Sequence, residues 1–131
     1  MSKQIMKAGY YYIGDPCYVV PDEDWGEFVT ATFEHEFEDG SNPFQFKGNN
    51  CWVHGTYFGD GVYQDELGIE YPVDSGCIGL VEISMFMDKI PAEDITTGVI
   101  EEFLEDFQVE YRNGRFYIGD IKINTKKEDS F

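Results

Sequence analysis

The chain has 131 residues, of which 26 are Asp or Glu and nine are Lys or Arg, and its formal net charge is −17. Hydrophobic residues make up 42% and aromatic residues 17%, so it is not one of the weakly hydrophobic acidic chains that stay disordered, and its length predicts a single domain over residues 1–131. Nucleic-acid binding requires Lys and Arg that neutralise phosphates, so the charge argues against direct binding of DNA or RNA. With neither an apolar run long enough to span a bilayer nor the apolar core of a signal peptide, we expect a cytoplasmic protein without a membrane partner.

The first predicted elements are strands. The segment GYYYIG at 9–14 is aromatic and β-branched, and CYVV at 17–20 has the same character after an Asp-Pro break. The two segments predict two short strands or one bent strand.

A helix is predicted next, in PDEDWGEFVTATFEHEF at 21–37. Acidic residues fill its first turn, where they complement the helix dipole. An apolar stripe recurs at four-residue steps, at Trp25, Val29 and Phe33. We expect this helix to end near 38–40, where a glycine precedes a loop.

From 44 to 87 short β runs alternate with glycine turns, in the order NCWVHGTYF, GVYQ, IEYPVD and CIGLVEISMF. This pattern predicts a β-meander. Between the second and third runs lies DELG, in which Asp65 can begin a type I turn and Gly68 can adopt a left-handed conformation. We expect a short hairpin loop there.

The C-terminal part predicts a second helix and a hairpin. In ITTGVIEEFLEDF at 95–107, four apolar residues would share one helical face, namely Ile100, Phe103, Leu104 and Phe107. In VEYRNGRFYIGDIKI at 109–123, Asn113-Gly114 supplies the two positive φ angles of a type I′ turn. The polar residues 124–131 predict a frayed tail.

Together these elements predict an α+β fold, in which a twisted, mainly antiparallel sheet or half-barrel is covered by one or two short helices. The expected core residues are the large apolar ones of these elements, namely Trp25, Phe33, Trp52, Val53, Ile78, Leu80, Ile100, Phe103 and Leu104.

Three aspartates, Asp15, Asp60 and Asp74, lie beside Gly, Pro or Ser at the ends of predicted strands. The structural interpretation is that glycine permits a tight turn and each carboxylate accepts the N–H groups that its turn leaves unpaired. The functional interpretation is that the three carboxylates and Ser75 converge into a ligand site, where carboxylate oxygens suit Mg²⁺ or Ca²⁺ or form an acid–base pair. The order of residues after Asp60 does not match an EF-hand loop.

The cysteines and histidines suggest two weaker sites. Cys17, Cys51, His54 and Cys77 are of the right types for zinc, but a strand turns residues 51 and 54 to opposite faces unless a bulge intervenes. Cys17 is also a candidate nucleophile, with His54 or His35 as base and Asp15 or Asp74 to orient it. An odd number of cysteines in a cytoplasmic chain predicts reduced thiols. The sequence predicts no cofactor.

The segments YIGDPCYVVPDEDW and YFGDGVYQDELGIEYPVDSGCIGLV carry a resemblance to a known group. They resemble small bacteriophage and bacterial proteins of unknown function that share an IGDPCYV-like start and a YGDGxYxD…YxVDxGxIG-like centre. The resemblance covers roughly residues 10 to 80 and implies a bacterial or phage setting. It implies no activity.

The leading functional hypothesis is a non-enzymatic accessory protein that binds a host protein with a basic surface, as a nucleic-acid mimic or as an inhibitor of a host system. The carboxylates expected to contact this partner lie on the polar faces of the two predicted helices, at Glu34, Glu38, Glu102 and Glu105. The alternatives are a surface that only maintains solubility, and a small enzyme or ligand-binding protein that uses Asp15, Asp60 and Asp74.

Overall fold

The computed structural model describes residues 4–34, 36–37, 40–41 and 43–125. Over these residues it contains one α-helix, α1 (Asp22–Glu34), and three short 3₁₀ turns. The strands are β1 (Gln4–Met6), β2 (Gly9–Gly14), β3 (Glu36–Phe37), β4 (Gly40–Ser41), β5 (Phe44–Phe46), β6 (Asn49–Gly55), β7 (Gly61–Asp65), β8 (Glu70–Val73), β9 (Cys77–Glu82), β10 (Gly98–Phe103), β11 (Phe107–Arg112), β12 (Arg115–Ile118) and β13 (Ile121–Asn124).

The strands form two larger antiparallel sheets and a two-stranded ribbon of β3 and β4. One sheet has six strands in the order β1-β11-β12-β13-β7-β8, and the other has five in the order β10-β2-β9-β6-β5. Neither sheet closes into a barrel over the described residues. The predicted α+β fold with mainly antiparallel strands is confirmed. No helix in the described part of the chain is long and apolar enough to cross a bilayer.

The five-stranded sheet is buried on both faces. Tyr11 and Ile13 on β2 pack with Trp52 and Leu80 against the inner face of the six-stranded sheet, whereas Tyr12, which lies between them in sequence, packs on the opposite side. Strands with two buried faces read as continuous apolar runs rather than as alternating ones, and YYYI and CWV have this character.

Helix α1 and the loops cover the second face. Phe28 of α1 is buried and packs against Phe44 and Phe46 of β5, with ring centroids 5.9 and 5.4 Å away. The helix begins where the acidic first turn predicts and ends earlier than predicted, at Glu34. Its buried face is centred on Phe28 and Thr32, and Trp25 is half-buried and stacks on Phe28.

The second predicted helix is wrong. Residues 98–103 form β10, the edge strand that pairs with β2, and β11 begins at Phe107. Backbone pairing with β2 overrides the local helical pattern. Only glycine fits at position 98, because an added Cβ would meet the carbonyl oxygen of Ile13. Leu104, expected in the core, is 83% exposed in the turn after β10.

The predicted strand at 17–20 is also wrong. Pro16–Tyr18 form a 3₁₀ turn, because Pro16 lacks an N–H for a ladder and the Asp15 carboxylate accepts the Cys17 N–H.

Of the other expected core residues, four are buried as predicted and two are half-buried: the buried ones are Trp52, Val53, Ile78 and Leu80, and the half-buried ones are Ile100 and Phe103. The Phe33 side chain lies outside the described part of the structure.

Both predicted hairpin turns are confirmed. Asn113 and Gly114 join β11 to β12 with φ angles of 54° and 85°, as a type I′ turn requires. Between β7 and β8, the Gly68 N–H donates to the Asp65 carbonyl oxygen at 3.1 Å, and Gly68 has a φ of 86°. The sequence thus predicts both of these turns correctly, because their geometry depends on the φ preferences of the turn residues themselves.

Two glycine substitutions test the packing of the five-stranded sheet. Gly79 of β9 lies between β2 and β6, where an added Cβ would meet the Trp52 carbonyl oxygen and would lie 2.9 Å from the Val53 Cα. Gly79→Ala should therefore lower the free energy of unfolding by about 2–3 kcal/mol. Gly26→Ala on the exposed side of α1, where an added Cβ meets nothing within 4 Å, should raise it by about 0.5–1 kcal/mol. Urea titrations followed by circular dichroism measure both, and similar effects would contradict this packing.

Candidate functional site at the Gly-Asp turns

The predicted turns at Asp15, Asp60 and Asp74, called the Gly-Asp turns, meet at one place in the structure. Two of them are the points where the chain crosses between sheets, from β6 to β7 around Asp60 and from β8 to β9 around Asp74. The Thr56 N–H donates to the Gly76 carbonyl oxygen at 2.9 Å, and a Cβ on Gly76 would lie 3.8 Å from Asp60 Oδ1. The third turn follows β2 at Asp15.

The Asp15 side chain joins two of these turns. It is completely buried, and each of its oxygens accepts two hydrogen bonds. Oδ1 accepts the Cys17 N–H at 2.9 Å and the Ser75 hydroxyl at 2.6 Å. Oδ2 accepts the N–H groups of Asp74 at 2.6 Å and Ser75 at 2.7 Å. Four donors compensate for the loss of hydration that burial of a carboxylate causes.

The structure confirms one expected capping contact and corrects another. Asp15 accepts an N–H group of its own turn, as predicted. The turn amides at 74 and 75 donate to Asp15 rather than to the Asp74 carboxylate, and Asp74 is exposed. Asp60 is also exposed. Ser75, predicted as a ligand residue, donates its hydroxyl to Asp15.

The carboxylates around Cys17 make it a weak nucleophile. Burial, and then the negative charge and hydrogen bonding of Asp15, raise the pKa of the Cys17 thiol to about 12, and the Asp74 and Asp60 carboxylates act in the same direction. Burial and the Asp74 charge likewise raise the pKa of Tyr18. A nucleophilic cysteine needs a lowered pKa, so this environment works against catalysis at Cys17.

His54, the other weak catalytic candidate, has different neighbours from Cys17. Its ring stacks on Tyr111 with centroids 3.7 Å apart and meets Phe116 edge-on, on the side of the six-stranded sheet. Its Nδ1 lies 2.8 Å from the Gly55 carbonyl oxygen. The ring has the contacts of a packed aromatic group.

The proposed zinc ligands do not form a cluster. Cys51 packs with Phe28 on the helix side of β6, opposite to the contacts of His54, as strand alternation requires. Cys77 also packs on the helix side, and burial raises the pKa of Cys51 to about 12. Within the described residues, no group of three or more His, Cys, Asp or Glu side chains has an arrangement suited to a metal ion.

The four predicted partner-binding glutamates are not on two helices. Glu102 lies on the edge strand β10, where its hydrogen bond and then its charge raise the pKa of Tyr10, and Glu105 is exposed in the following turn. Glu34 ends α1, but its side chain is outside the described part of the structure. Glu38 and His35 also lie outside the described residues.

Two residues that support the Asp15 turn were not singled out from sequence. The Tyr12 hydroxyl lies 3.1 Å from the Asp15 carbonyl oxygen and 3.1 Å from Thr97 Oγ1. It therefore ties the end of β2 to the segment before β10. The position of Tyr12 in the run GYYYIG, on the face opposite to Tyr11, is the signal that would have identified it.

No protein-family model, curated protein or solved structure matches the chain. The resemblance to small bacteriophage and bacterial proteins therefore stays a prediction.

Replacement of Asp15 tests the joint between the turns. Asp15→Asn keeps the shape but turns an amide NH₂ toward two of the four donors, so it should lower the free energy of unfolding by at least about 2 kcal/mol. Asp74→Asn changes an exposed carboxylate and should alter stability by no more than about 0.5 kcal/mol. Urea unfolding of both variants gives the comparison. Equal stabilities would show that the buried carboxylate is not what holds the turns.

Alkylation tests the environment of Cys17. The raised pKa predicts that the thiol stays protonated as pH rises through its ordinary range near 9 and ionises only near 12. At pH 8 its thiolate fraction should be about a thousandfold below that of the unfolded chain, and iodoacetamide should react correspondingly slowly. Peptide mapping by mass spectrometry, with the urea-unfolded chain as control, reports the rate at this cysteine. Rapid labelling of Cys17 in the folded protein at pH 8 would contradict a raised pKa for this thiol.

Proposed function

We propose that the protein is a non-enzymatic binding protein of the bacterial cytoplasm that uses an acidic layer to bind a basic surface on a host protein. The acidic layer consists of the exposed carboxylates on α1 and on the segment after β9, namely Asp22, Glu23, Glu27, Asp88, Glu93 and Asp94. One observation carries the proposal: exposed carboxylates of two separate segments gather on one side of the five-stranded sheet, where they outnumber the lysines paired with them.

Helix α1 and the segment after β9 cover the same face of the five-stranded sheet. Phe28 anchors the helix there, and Phe86 packs against Tyr12 with ring centroids 6.1 Å apart. Ile90 and Ile95 pack on the same cluster. The exposed carboxylates of both segments therefore belong to one side of the molecule.

Of the described residues, two lysines near this layer are paired with carboxylates of the same side. Lys47 Nζ lies 2.8 Å from Asp24 Oδ1, and Lys89 Nζ lies 2.7 Å from Glu23 Oε2. Exposed pairs of this kind contribute little stability, about 0–1 kcal/mol, but they use up the local positive charge. The remaining carboxylates of the layer present a negative surface.

The outer face of the six-stranded sheet carries charges of both signs. Both arginines of the chain, Arg112 and Arg115, and Lys122 lie on strands of the six-stranded sheet, at positions that alternate with its core residues. Acidic residues such as Glu66 and Glu70 balance them there. The side of α1 differs, because its exposed carboxylates outnumber the two lysines paired there.

A negative layer fits a partner that presents clustered Lys and Arg. Host proteins that bind nucleic acids have such surfaces, because phosphate neutralisation supplies their affinity. The acidic layer would occupy that surface in place of phosphates. This makes a nucleic-acid-binding host protein the most complementary class of partner.

Two findings favour binding over catalysis. The Asp15 carboxylate has its hydrogen-bonding capacity taken up by four donors, and the raised pKa of Cys17 opposes nucleophilic attack. Asp60 and Asp74 stay exposed beside these groups, so a ligand site on the Gly-Asp turns is the alternative.

Charge-reversal variants distinguish binding by the acidic layer from a general effect of the net charge. The layer variant carries Glu27→Lys, Glu93→Lys and Asp94→Lys, and the matched control carries Glu66→Lys, Glu70→Lys and Asp120→Lys, with the same change in net charge. Immobilised wild-type protein first captures its partner from bacterial lysate at low salt, and interferometry then measures association with each variant. The layer variant should associate at least about tenfold more slowly, and the difference should fade as salt rises.

Circular dichroism confirms that both variants are folded. Equal loss of association in the two variants would assign binding to net charge rather than to the layer. Capture that is indifferent to salt would contradict an electrostatic interface.

A further inference from the structure

A concavity of about 220 Å³ opens on the outer face of the six-stranded sheet, away from the acidic layer. It is lined by Gln108, Val109, Glu110, Arg112, Tyr117 and Gly119. Alternation along β11 turns Val109 toward the core and its neighbours Glu110 and Gln108 outward. Polar groups from two adjacent strands therefore converge at this point.

Among the described residues, the Glu110 carboxylate has few of the donors that a buried charge requires. Its side chain is only 9% exposed, although it lies on the outer face of the sheet. The nearest cationic atom is Arg112 Nε at 3.9 Å, which is beyond hydrogen-bond distance. Among the residues that the structure describes, no hydrogen bond to this carboxylate is found. Buried charges are expensive unless they are paired and hydrogen-bonded, so this carboxylate can accept a further donor.

Arg112 supplies the opposite charge at the same concavity. Its side chain is 56% exposed, and its guanidinium carbon lies 5.3 Å from the centre of the Tyr117 ring. Its contact with Tyr117 orients the guanidinium, which has five N–H donors and can also bind a planar acceptor such as a carboxylate.

We infer that this concavity binds a small zwitterion, whose ammonium group pairs with Glu110 and whose carboxylate pairs with Arg112. An ammonium alone would meet the positive charge of Arg112, and an anion alone would meet Glu110 and a chain of net charge −17. A ligand with both charges satisfies each group. The volume is below the range of about 300–1,000 Å³ typical of drug-sized ligands, so the ligand is of the size of a single free amino acid.

Titration of the full ¹⁵N-labelled chain tests the inference. Glycine and L-leucine are the zwitterionic probes, and methylammonium and acetate at the same ionic strength are the singly charged controls. The zwitterions should shift the amide signals of residues 108–112 and 117–119 in a saturable way at millimolar concentration. Methylammonium and acetate should bind at least about tenfold more weakly.

Three variants assign the contacts. Glu110→Gln and Arg112→Gln should each weaken binding at least about tenfold, whereas Arg115→Gln, on the same sheet but outside the concavity, should leave it unchanged. Without ligand, Glu110→Gln should also raise Tm, because it removes a buried charge for which the described residues supply no hydrogen bond.

Several results would overturn the inference. These are the absence of saturable shifts, equal binding of methylammonium and glycine, binding that survives Glu110→Gln, or a lower Tm for that variant. None of them bears on the acidic layer, which lies on the other side of the molecule.

Discussion

The completely buried carboxylate of Asp15 is the interaction on which the arrangement of the two sheets depends. It lies at the end of β2 in the five-stranded sheet and accepts the N–H groups of residues 74 and 75, where the chain passes from the six-stranded sheet into the five-stranded one. The adjacent crossing, from β6 to β7, is tied to the same turn through the Thr56 N–H and the Gly76 carbonyl oxygen. One charged side chain thus fixes a corner where both sheets meet, because charge-assisted hydrogen bonds are stronger and more directional than apolar contacts.

This corner changes how the Gly-Asp motifs should be interpreted. A carboxylate saturated by four donors within its own chain has little capacity left for a ligand or a proton-transfer step, and its charge suppresses ionisation of the neighbouring Cys17. Asp15 therefore has an architectural role at this corner, and the two sheets that it joins leave separate outer surfaces. The five-stranded sheet, buried on both faces, separates these surfaces into an acidic layer on one side and a polar sheet face on the other.

The sequence predicted those features whose cause is local. The Asn113-Gly114 turn, the DELG loop and the start of α1 depend on the φ preferences and capping chemistry of a few adjacent residues. Features caused by distant partners were missed. Residues 98–103 have a helical pattern but pair with β2, and the acceptor for the amides at 74 and 75 lies about 60 residues earlier in the chain. The concavity beside Glu110 also depends on the pairing of β11 with β12, which determines that Tyr117 lies opposite Glu110.

The scarcity of cations gives a physical reason for the recurrence of aspartate beside glycine. With 26 acidic residues and only nine basic ones, most carboxylates of the chain have no Lys or Arg of their own. Asp15 and Asp65 are instead satisfied by neutral donors, the latter by the N–H groups of Leu67 and Ile69 and by the Tyr71 hydroxyl. Glycines with positive φ, Gly68 and Gly76, allow the backbone to turn its amides toward these carboxylates. Amide dipoles thus replace cations inside the protein, and the few arginines remain available on the outer face of the six-stranded sheet, where Glu110 is the one buried carboxylate among the described residues that lacks such donors.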